Sequence, residues 1–127
     1  MKKIIFVILA ILCLLGALYM RGERLVRESM PADVLFVFSQ KGCPHCQSAL
    51  AFIDETVRPK YPNLKIEVLD VADQKNLLKL SVVAKQYKLR DIGTPILVLN
   101  GKALMGWPKK NEKVLLSIID SLPTKKP

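Results

Sequence analysis

The most informative stretch of the chain is residues 34–46, which read VLFVFSQKGCPHC. Val34 to Ser39 form an almost continuous apolar run of strand length, the pattern of a strand buried on both faces. After a short polar loop, Pro44 suits the first turn of a helix, where its missing N–H costs nothing. The stretch therefore predicts a buried strand that leads into a helix, with Cys43 and Cys46 at the junction.

Outward from this stretch, the chain alternates between strand and helix patterns. The helix from Pro44 is expected to end near Arg58-Pro59, and Asn100-Gly101 is a strong signal for a two-residue hairpin turn. The other predicted elements are a strand over 64–70, a helix over 74–89, strands over 96–99 and 102–105, and a final helix with Val114, Leu115, Ile118, Ile119 and Leu122 on its apolar side. In the second helix the expected apolar contacts come from Leu77, Leu78, Leu80, Val83, Ala84 and Tyr87.

The resulting order of elements is β-α-β-α-β-β-α. Crossovers through helices make the first strands parallel, and the hairpin adds an antiparallel edge. This pattern predicts a single α/β domain.

The N-terminal segment is apolar. Met1-Lys2-Lys3 precedes an apolar run over residues 4–20, which is at the short end of a membrane span (about 17–25 residues) and longer than a usual signal-peptide core (about 7–15). No register places small residues at both positions that cleavage requires, so an uncleaved anchor is favoured over a cleaved signal. Residues 21–32 are interpreted as a polar linker or as a continuation of the anchor helix. Cys13 is interpreted as an ordinary apolar residue of the span.

Size and charge narrow the function classes. The 127 residues suit one compact domain, and the net charge of +9 falls to +7 without the N-terminal segment, where only Lys2 and Lys3 lie. The other basic residues are interpreted as spread through the chain, which indicates a solvated basic surface, with attraction to anionic lipid headgroups or an acidic partner as the alternative. No aromatic residues interleave with a basic block, so nucleic-acid binding is not predicted. Three cysteines are too few for a disulfide framework.

Cys43 and Cys46 form a close pair that requires a local purpose. At the start of a helix, unpaired backbone N–H groups and the helix dipole stabilise an anion, which favours the thiolate of Cys43. The thiolate attacks in disulfide exchange, so Cys43 is the predicted nucleophile and Cys46, one turn later, the predicted resolving cysteine. His45 is the only histidine, and its place between them predicts that it tunes the thiolate. Pro44 completes this predicted catalytic motif.

Three other interpretations of the pair fit the sequence less well. A zinc site needs three or four ligands, and only the pair and His45 are at hand. Covalent haem attachment needs histidine directly after the second cysteine, where Gln47 stands. A purely structural disulfide would close so short a loop that it would constrain the unfolded chain little. The sequence therefore predicts a redox-active dithiol with no metal and no organic cofactor.

Two segments carry a resemblance to a known family. Residues 37–46 (VFSQKGCPHC) resemble the active-site strand and loop of glutaredoxins, and the Pro-His dipeptide is similar to that of the Dsb-type disulfide oxidases of the bacterial periplasm. Residues 84–95 (AKQYKLRDIGTP) resemble the thioredoxin segment that leads into its cis-proline. The stretch from Val34 to Leu122 thus resembles the thioredoxin-like superfamily.

This resemblance implies a fold and a substrate site. The fold would be a β-α-β-α-β-β-α three-layer α/β sandwich with a mixed four-stranded sheet, preceded by one N-terminal hydrophobic helix. The Thr94–Pro95 bond would be cis and face the cysteines, an uncommon state found in about 5–6% of X–Pro bonds in folded proteins. The Thr94 backbone would then pair with an extended substrate segment.

The chain departs at three places from the families that it resembles. Val37 stands where thioredoxin has its buried acid, so proton transfer to Cys46 must come from water or another group. Gly42 replaces the tryptophan that usually precedes thioredoxin's motif. Gly106-Trp107-Pro108 stands where glutaredoxins carry the Gly-Gly-x-Asp signature for glutathione, so glutathione is not expected as the partner.

These patterns predict four segments: a membrane anchor or signal over 1–20, a linker over 21–32, a thioredoxin-like domain over 33–123 and a tail over 124–127. Residues 4–20 would anchor the chain in the inner, or cytoplasmic, membrane, with the redox domain facing the periplasm or the cell exterior. The domain is expected to be monomeric.

The predicted function is that of an extracytoplasmic thiol–disulfide oxidoreductase. Its expected partners are cysteine-containing exported proteins and a further redox partner. One alternative is a thioredoxin-like binding or assembly module whose dithiol is a redox-controlled contact to one membrane partner. Another is a glutaredoxin-like reductase, because the sequence leaves the direction of electron flow open.

Overall fold

The chain forms two compact units, Met1–Met30 and Pro31–Pro127, in a computed structural model that describes residues 1–28 and 30–123. In the first unit, helix α1 (Lys2–Glu28) runs through the apolar stretch and continues into the predicted linker. Its portion Lys2–Leu25 is long and apolar enough to cross a membrane, although a signal sequence near an N-terminus meets the same criteria. The predicted tail, 124–127, lies outside the described residues.

The second unit is an α/β domain built on a mixed four-stranded sheet. Its strands are β1 (Val34–Ser39), β2 (Lys65–Asp70), β3 (Ile96–Leu99) and β4 (Lys102–Met105). Its helices are α2 (Pro44–Phe52), α3 (Arg58–Lys60), α4 (Gln74–Gln86) and α5 (Lys110–Asp120), with a π-helical segment, Ile53–Val57, between α2 and α3. The predicted fold class and order of elements are confirmed.

The sheet has the strand order β2-β1-β3-β4. Strand β2 runs parallel to β1, whereas β3 is antiparallel to β1 and β4 is antiparallel to β3. The antiparallel hairpin edge was predicted, and the reversal between β1 and β3 was not. Because β3 begins where β1 ends, the reversal places the start of β3 beside the turn that carries Cys43.

Alternation along β1 builds two apolar layers. Leu35 and Val37 belong to a core cluster that includes residues of α2, the π-helical segment and α5. Phe36 and Phe38 point to the opposite face and are also buried. The residues that α4 buries (Leu80, Val83 and Ala84) lie outside the first cluster, so α4 covers this second face.

The helix after the cysteines runs past its predicted end. It continues through the π-helical segment and through Pro59 to Lys60. Pro59 lies in the first turn of α3, directly after the wider π-helical turn. A proline without an N–H is tolerated in the first turn of a helix. A proline after a helical pattern therefore did not mark the end of this helix.

Helix α4 ends at Gln86, three residues before its predicted end. Lys88 takes a positive φ of 53°, and the Leu89 N–H donates to the Ala84 carbonyl at 2.9 Å, which closes the helix as a Schellman-type cap. Glycine usually occupies such a position, so a lysine here does not signal the end of a helix. The predicted apolar contacts of Leu77 and Leu78 were wrong, because both side chains are exposed.

The hairpin between β3 and β4 follows its sequence signal. Asn100 and Gly101 have φ values of 49° and 71°, the pair of positive values that a type I′ turn requires. The turn fixes the register that pairs Leu99 with Lys102 and Ile96 with Met105.

Candidate active site

The two cysteines lie where β1 gives way to α2. The Cys43 N–H donates to the Gln40 carbonyl at 3.3 Å, and Gly42 supplies the positive φ of 75° that this tight turn requires. Cys43 then occupies the N-cap position of α2, and Pro44 takes the first helical turn. The structure therefore has the strand-to-helix junction at the position predicted from residues 34–46.

The sulfur of Cys43 acts as the capping acceptor of this helix. It accepts a hydrogen bond from the Cys46 backbone N–H at 3.2 Å, in the place where a serine or aspartate oxygen usually stands. A hydrogen bond from the Cys46 side chain lowers the pKa of the Cys43 thiol, and one from the Thr94 side chain lowers it further. The arrangement stabilises a thiolate on a sulfur that is partly exposed to solvent.

Cys46 has the opposite environment. Its side chain is only 2% exposed, and this burial raises the pKa of its thiol, as does its hydrogen bond to Cys43. The two thiols lie one helical turn apart, and both are reduced in the structure. The site therefore pairs a reactive, accessible thiol with a protonated, sheltered one.

Thr94 and Pro95 lie against Cys43. The pairing of Phe38 with Ile96 brings the residues just before β3 to the carboxyl end of β1. The Thr94 hydroxyl lies 3.6 Å from the Cys43 sulfur, and the Thr94 carbonyl oxygen lies 3.7 Å from it. The Thr94–Pro95 peptide bond is cis, and Pro95 is buried. Residues 51 positions apart in sequence thus share one site.

No known family profile matches the chain, and no curated protein matches it. Among solved structures, the glutaredoxin grx-1 of Archaeoglobus fulgidus aligns with a TM-score of 0.50 and 18% sequence identity, over 67% of this chain and 86% of that one. The domain has the thioredoxin-like fold. A mutant of the thioredoxin-like protein BC3987 also aligns, with a TM-score of 0.47 and 23% identity over 65% of this chain and 97% of that one.

His45 lies on the outer side of the thioredoxin-like domain's motif, with an exposed side chain. Its backbone contributes a hydrogen bond that lowers the pKa of the Cys43 thiol. Among the described residues, Cys43 is contacted by this backbone and not by the imidazole ring. The predicted tuning by the ring stays a prediction.

Beneath the dithiol the domain is apolar. Val37, at the position of thioredoxin's buried acid, is fully buried between its paired neighbours Val68 and Leu97. Among the described residues, Asn111 is the one buried polar side chain outside the site itself. The polar side chain that contacts the sulfurs is that of Thr94. Sequence reasoning assigned the Thr94 backbone a role and missed its hydroxyl.

A second loop closes the same edge of the domain. The Gly106 N–H donates to the Pro95 carbonyl at 2.8 Å, and the Gly106 carbonyl accepts from Asn111 Nδ2 at 3.2 Å. Asn111 is only 6% exposed, and its backbone N–H donates to the Pro108 carbonyl. Asn111 thus fixes the loop that borders Pro95. Sequence reasoning missed it, because a single asparagine in an amphipathic helix carries no distinguishing pattern.

The described residues contain no cluster of three or more histidine, cysteine or acidic side chains placed to hold a metal ion. What they bring together is Cys43, Cys46, Thr94 and Pro95. The pKa values of the two thiols are displaced in opposite directions, and the sulfur of Cys43 is accessible to solvent. This arrangement suits thiol–disulfide exchange.

Proposed function

We propose that this protein is a membrane-anchored thiol–disulfide oxidoreductase whose redox domain lies outside the cytoplasm, facing the periplasm or the cell exterior. Its substrates are cysteines of exported proteins, and a second thiol or disulfide protein restores its redox state. Residues 4–20 hold it in the membrane, and no metal or organic cofactor takes part.

The observation that carries the proposal is the asymmetry of the two thiols. The Cys43 pKa is lowered and its sulfur is open to solvent, whereas the Cys46 pKa is raised and its side chain is buried. A structural disulfide requires no such difference. A dithiol that must attack a substrate first with one sulfur and then resolve with the other does require it.

The reductive direction proceeds in two exchanges. The Cys43 thiolate attacks a substrate disulfide, forms a mixed disulfide and releases one substrate thiolate. Cys46 then loses its proton and attacks the Cys43 sulfur, which forms the Cys43–Cys46 disulfide and releases the second substrate thiolate. The substrate gains two electrons and the dithiol loses them. Oxidation of a substrate dithiol is the same sequence in reverse.

Thr94 supports both exchanges. Its hydroxyl contacts the Cys43 sulfur, and its side chain also lowers the pKa of Cys46. With Val37 in place of a buried acid, the proton of Cys46 leaves to water or to the substrate thiolate. The Thr94 backbone, next to Pro95, is where an extended substrate segment would pair.

The decisive experiment uses substitutions of the two cysteines in the full-length chain with Cys13→Ser as the common background. Cys46→Ser should retain mixed disulfides between Cys43 and exported proteins, visible as higher-mass bands that reductant removes. Cys43→Ser with Cys46→Ser is the matched control and should retain none. Full cellular function in both Cys43→Ser and Cys46→Ser would refute a catalytic dithiol.

The same trap separates this proposal from a redox-controlled binding module. Many different exported proteins trapped on Cys43 indicate a general oxidoreductase, and a single trapped partner indicates a dedicated contact. Labelling of Cys43 in intact cells by a maleimide that cannot cross the inner membrane tests the location. A sulfur that is protected in intact cells and labelled after lysis would place the domain in the cytoplasm.

The direction of electron flow follows from the reduction potential of the full chain in detergent micelles. A stabilised Cys43 thiolate favours the reduced form and makes the disulfide more oxidising. A potential in the range of about −120 to −180 mV would assign the protein as an oxidase or isomerase. A value near about −270 mV would instead assign the protein as a reductase.

A further inference from the structure

The positive charge of the thioredoxin-like domain is concentrated in one helix and the turn after it. Residues 74–90 contain five basic residues and no acidic one, whereas the remainder of the span from Pro31 to Pro123 contains eight basic and nine acidic residues. The interpretation that basic residues are spread evenly is therefore wrong for this domain. The five are Lys75, Lys79, Lys85, Lys88 and Arg90.

The same helix carries two exposed leucines. Leu77 is 52% exposed and Leu78 is 64% exposed. At 100° per residue, Leu78 lies opposite the buried Leu80 and close in angle to Lys85. Leu77 lies about 20° from the buried Ala84, whereas Leu78 lies between the exposed Lys85 and Lys75. An apolar side chain bordered by lysines is typical of helices that lie in a membrane interface.

We propose that the outer side of α4 docks onto the anionic phospholipid surface of the membrane that holds α1. This basic leucine face consists of Leu78 with Lys85 and Lys75 on either side of it, and Leu77 and Lys79 lie at its two borders. Leu78 would enter the headgroup region while the lysines contact lipid phosphates. The proposal rests on the anchoring part of the proposed function and is independent of the thiol chemistry.

The chain length favours this lipid surface over other occupants. Only residues 21–33 separate the anchor of residues 4–20 from the start of β1, a reach of at most about 45 Å. Such a tether holds the domain close to one membrane at high effective concentration. Each basic residue near an anionic surface strengthens binding about fivefold, so a tethered domain needs few of them.

Docking in this way leaves the dithiol accessible. Helix α4 covers the sheet face opposite α2, and Cys43 lies at the carboxyl edge of β1. With α4 against the bilayer, the sheet would lie roughly parallel to the membrane and Cys43 would open to the side. The domain would then meet exported proteins as they pass along the membrane surface.

The test places the full chain in lipid nanodiscs and measures contact with lipid at two positions. The background carries Cys13→Ser, Cys43→Ser and Cys46→Ser, and a fluorescent label is attached through Ser81→Cys on α4 or through Ser117→Cys on α5. Both serines are exposed. Lipids that carry a nitroxide at the headgroup quench the label when it lies at the surface. The discs contain phosphatidylcholine alone or an equal mixture with phosphatidylglycerol.

In the anionic discs we expect strong quenching at position 81 and weak quenching at position 117. The quenching at position 81 should be absent from discs of phosphatidylcholine alone, and high salt should abolish it. The double substitution Lys75→Gln with Lys79→Gln should lower the ratio of docked to free domain about 30-fold, because each lysine contributes a factor of about five. Lys109→Gln with Lys113→Gln removes the same charge from the α5 region and should leave quenching at position 81 unchanged.

Four outcomes would overturn the inference. Equal quenching at both positions would show that the domain has no preferred face. Quenching at position 81 that does not require anionic lipid would show that the lysines do not drive docking, and quenching that falls as the number of chains per disc rises would point to a second copy as the occupant. Failure of the chain to co-elute with the discs would refute the anchor, and with it the docking, while leaving the cysteine-trapping result to judge the thiol chemistry separately.

Discussion

The backbone N–H of Cys46 points at the sulfur of Cys43 at 3.2 Å, while the Cys46 side chain itself is buried. The Cys46 backbone thus donates a hydrogen bond to the Cys43 sulfur, while burial of the Cys46 side chain raises the pKa of its own thiol. This relationship orders the two sulfurs, because only Cys43 is both accessible and stabilised as an anion.

The first prediction concerns this order. Replacement of Cys46 by alanine removes the side-chain hydrogen bond that contributes most to the lowered pKa of Cys43, so that pKa should rise. Replacement by serine keeps a donor and should raise it less. The pH dependence of Cys43 alkylation, with Cys13→Ser as background, measures both. Wild type should show a midpoint below the usual value of about 8.5.

The alanine variant is the informative one. A Cys43 midpoint that is the same in wild type and in Cys46→Ala would mean that the Cys46 side chain does not stabilise the thiolate. A midpoint at or above the free-cysteine value in wild type would contradict the asymmetry altogether.

The second prediction concerns Thr94. Its hydroxyl lies 3.6 Å from the Cys43 sulfur, and valine has nearly the same shape without that donor. Thr94→Val should therefore raise the Cys43 pKa by removing the second-largest favourable contact. The reduction potential should become less oxidising at the same time, because the reduced form loses stabilisation.

Thr56→Val is the matched control for Thr94→Val. Thr56 lies in the π-helical segment between α2 and α3, away from the turn that carries Cys43. Its replacement should leave both the alkylation midpoint and the potential unchanged. If both variants shift the midpoint equally, the effect is one of general stability and the hydroxyl has no special part.

The third prediction concerns His45. Its backbone contributes to the lowered pKa of Cys43 and its side chain is exposed. His45→Gln keeps the backbone donor, so it should move the alkylation midpoint of Cys43 less than Thr94→Val does. Any shift that remains should weaken in high salt, since exposed charges are screened. A larger and salt-independent shift in His45→Gln would confirm the sequence-based prediction that the ring tunes the thiolate.

Much of the fold could be predicted because the local signals agree with the tertiary structure. The apolar run at Val34 to Ser39 and the Asn100-Gly101 turn each specify their element without help from distant residues. The ends of α2 and α4 could not be predicted in this way. Pro59 follows a π-helical turn, and Lys88 takes a positive φ that glycine usually takes.

The candidate site could also be predicted only in part. Cys43 and Cys46 are close in sequence, and their spacing predicts a redox-active dithiol. The contact between Thr94 and Cys43 depends on β3 running antiparallel to β1, which no short stretch encodes. Leu77 and Leu78 failed as predicted apolar contacts because they were assigned from their apolar character, whereas at 100° per residue Leu78 lies opposite the buried Leu80 and Leu77 lies at the border of the buried side.

The fourth prediction concerns Asn111. Its side-chain amide donates to the Gly106 carbonyl at 3.2 Å, and Asn111→Ala would leave that carbonyl without its partner at a partly buried position. The expected loss in the free energy of unfolding is about 1–3 kcal/mol. The higher helix propensity of alanine offsets about 0.5 kcal/mol of it. Asn63→Ala, at an exposed asparagine, is the control and should cost far less.

Trp107 is the single tryptophan and is buried beside Phe52, so its fluorescence during urea unfolding reports on this domain alone. Because Gly106 also donates to the Pro95 carbonyl, Asn111→Ala should loosen the loop next to the dithiol and slow the resolution of mixed disulfides. A variant as stable as Asn63→Ala would show that water replaces the amide at no cost. In that case the loop would be held by its backbone alone, and the resolution rate should equal that of wild type.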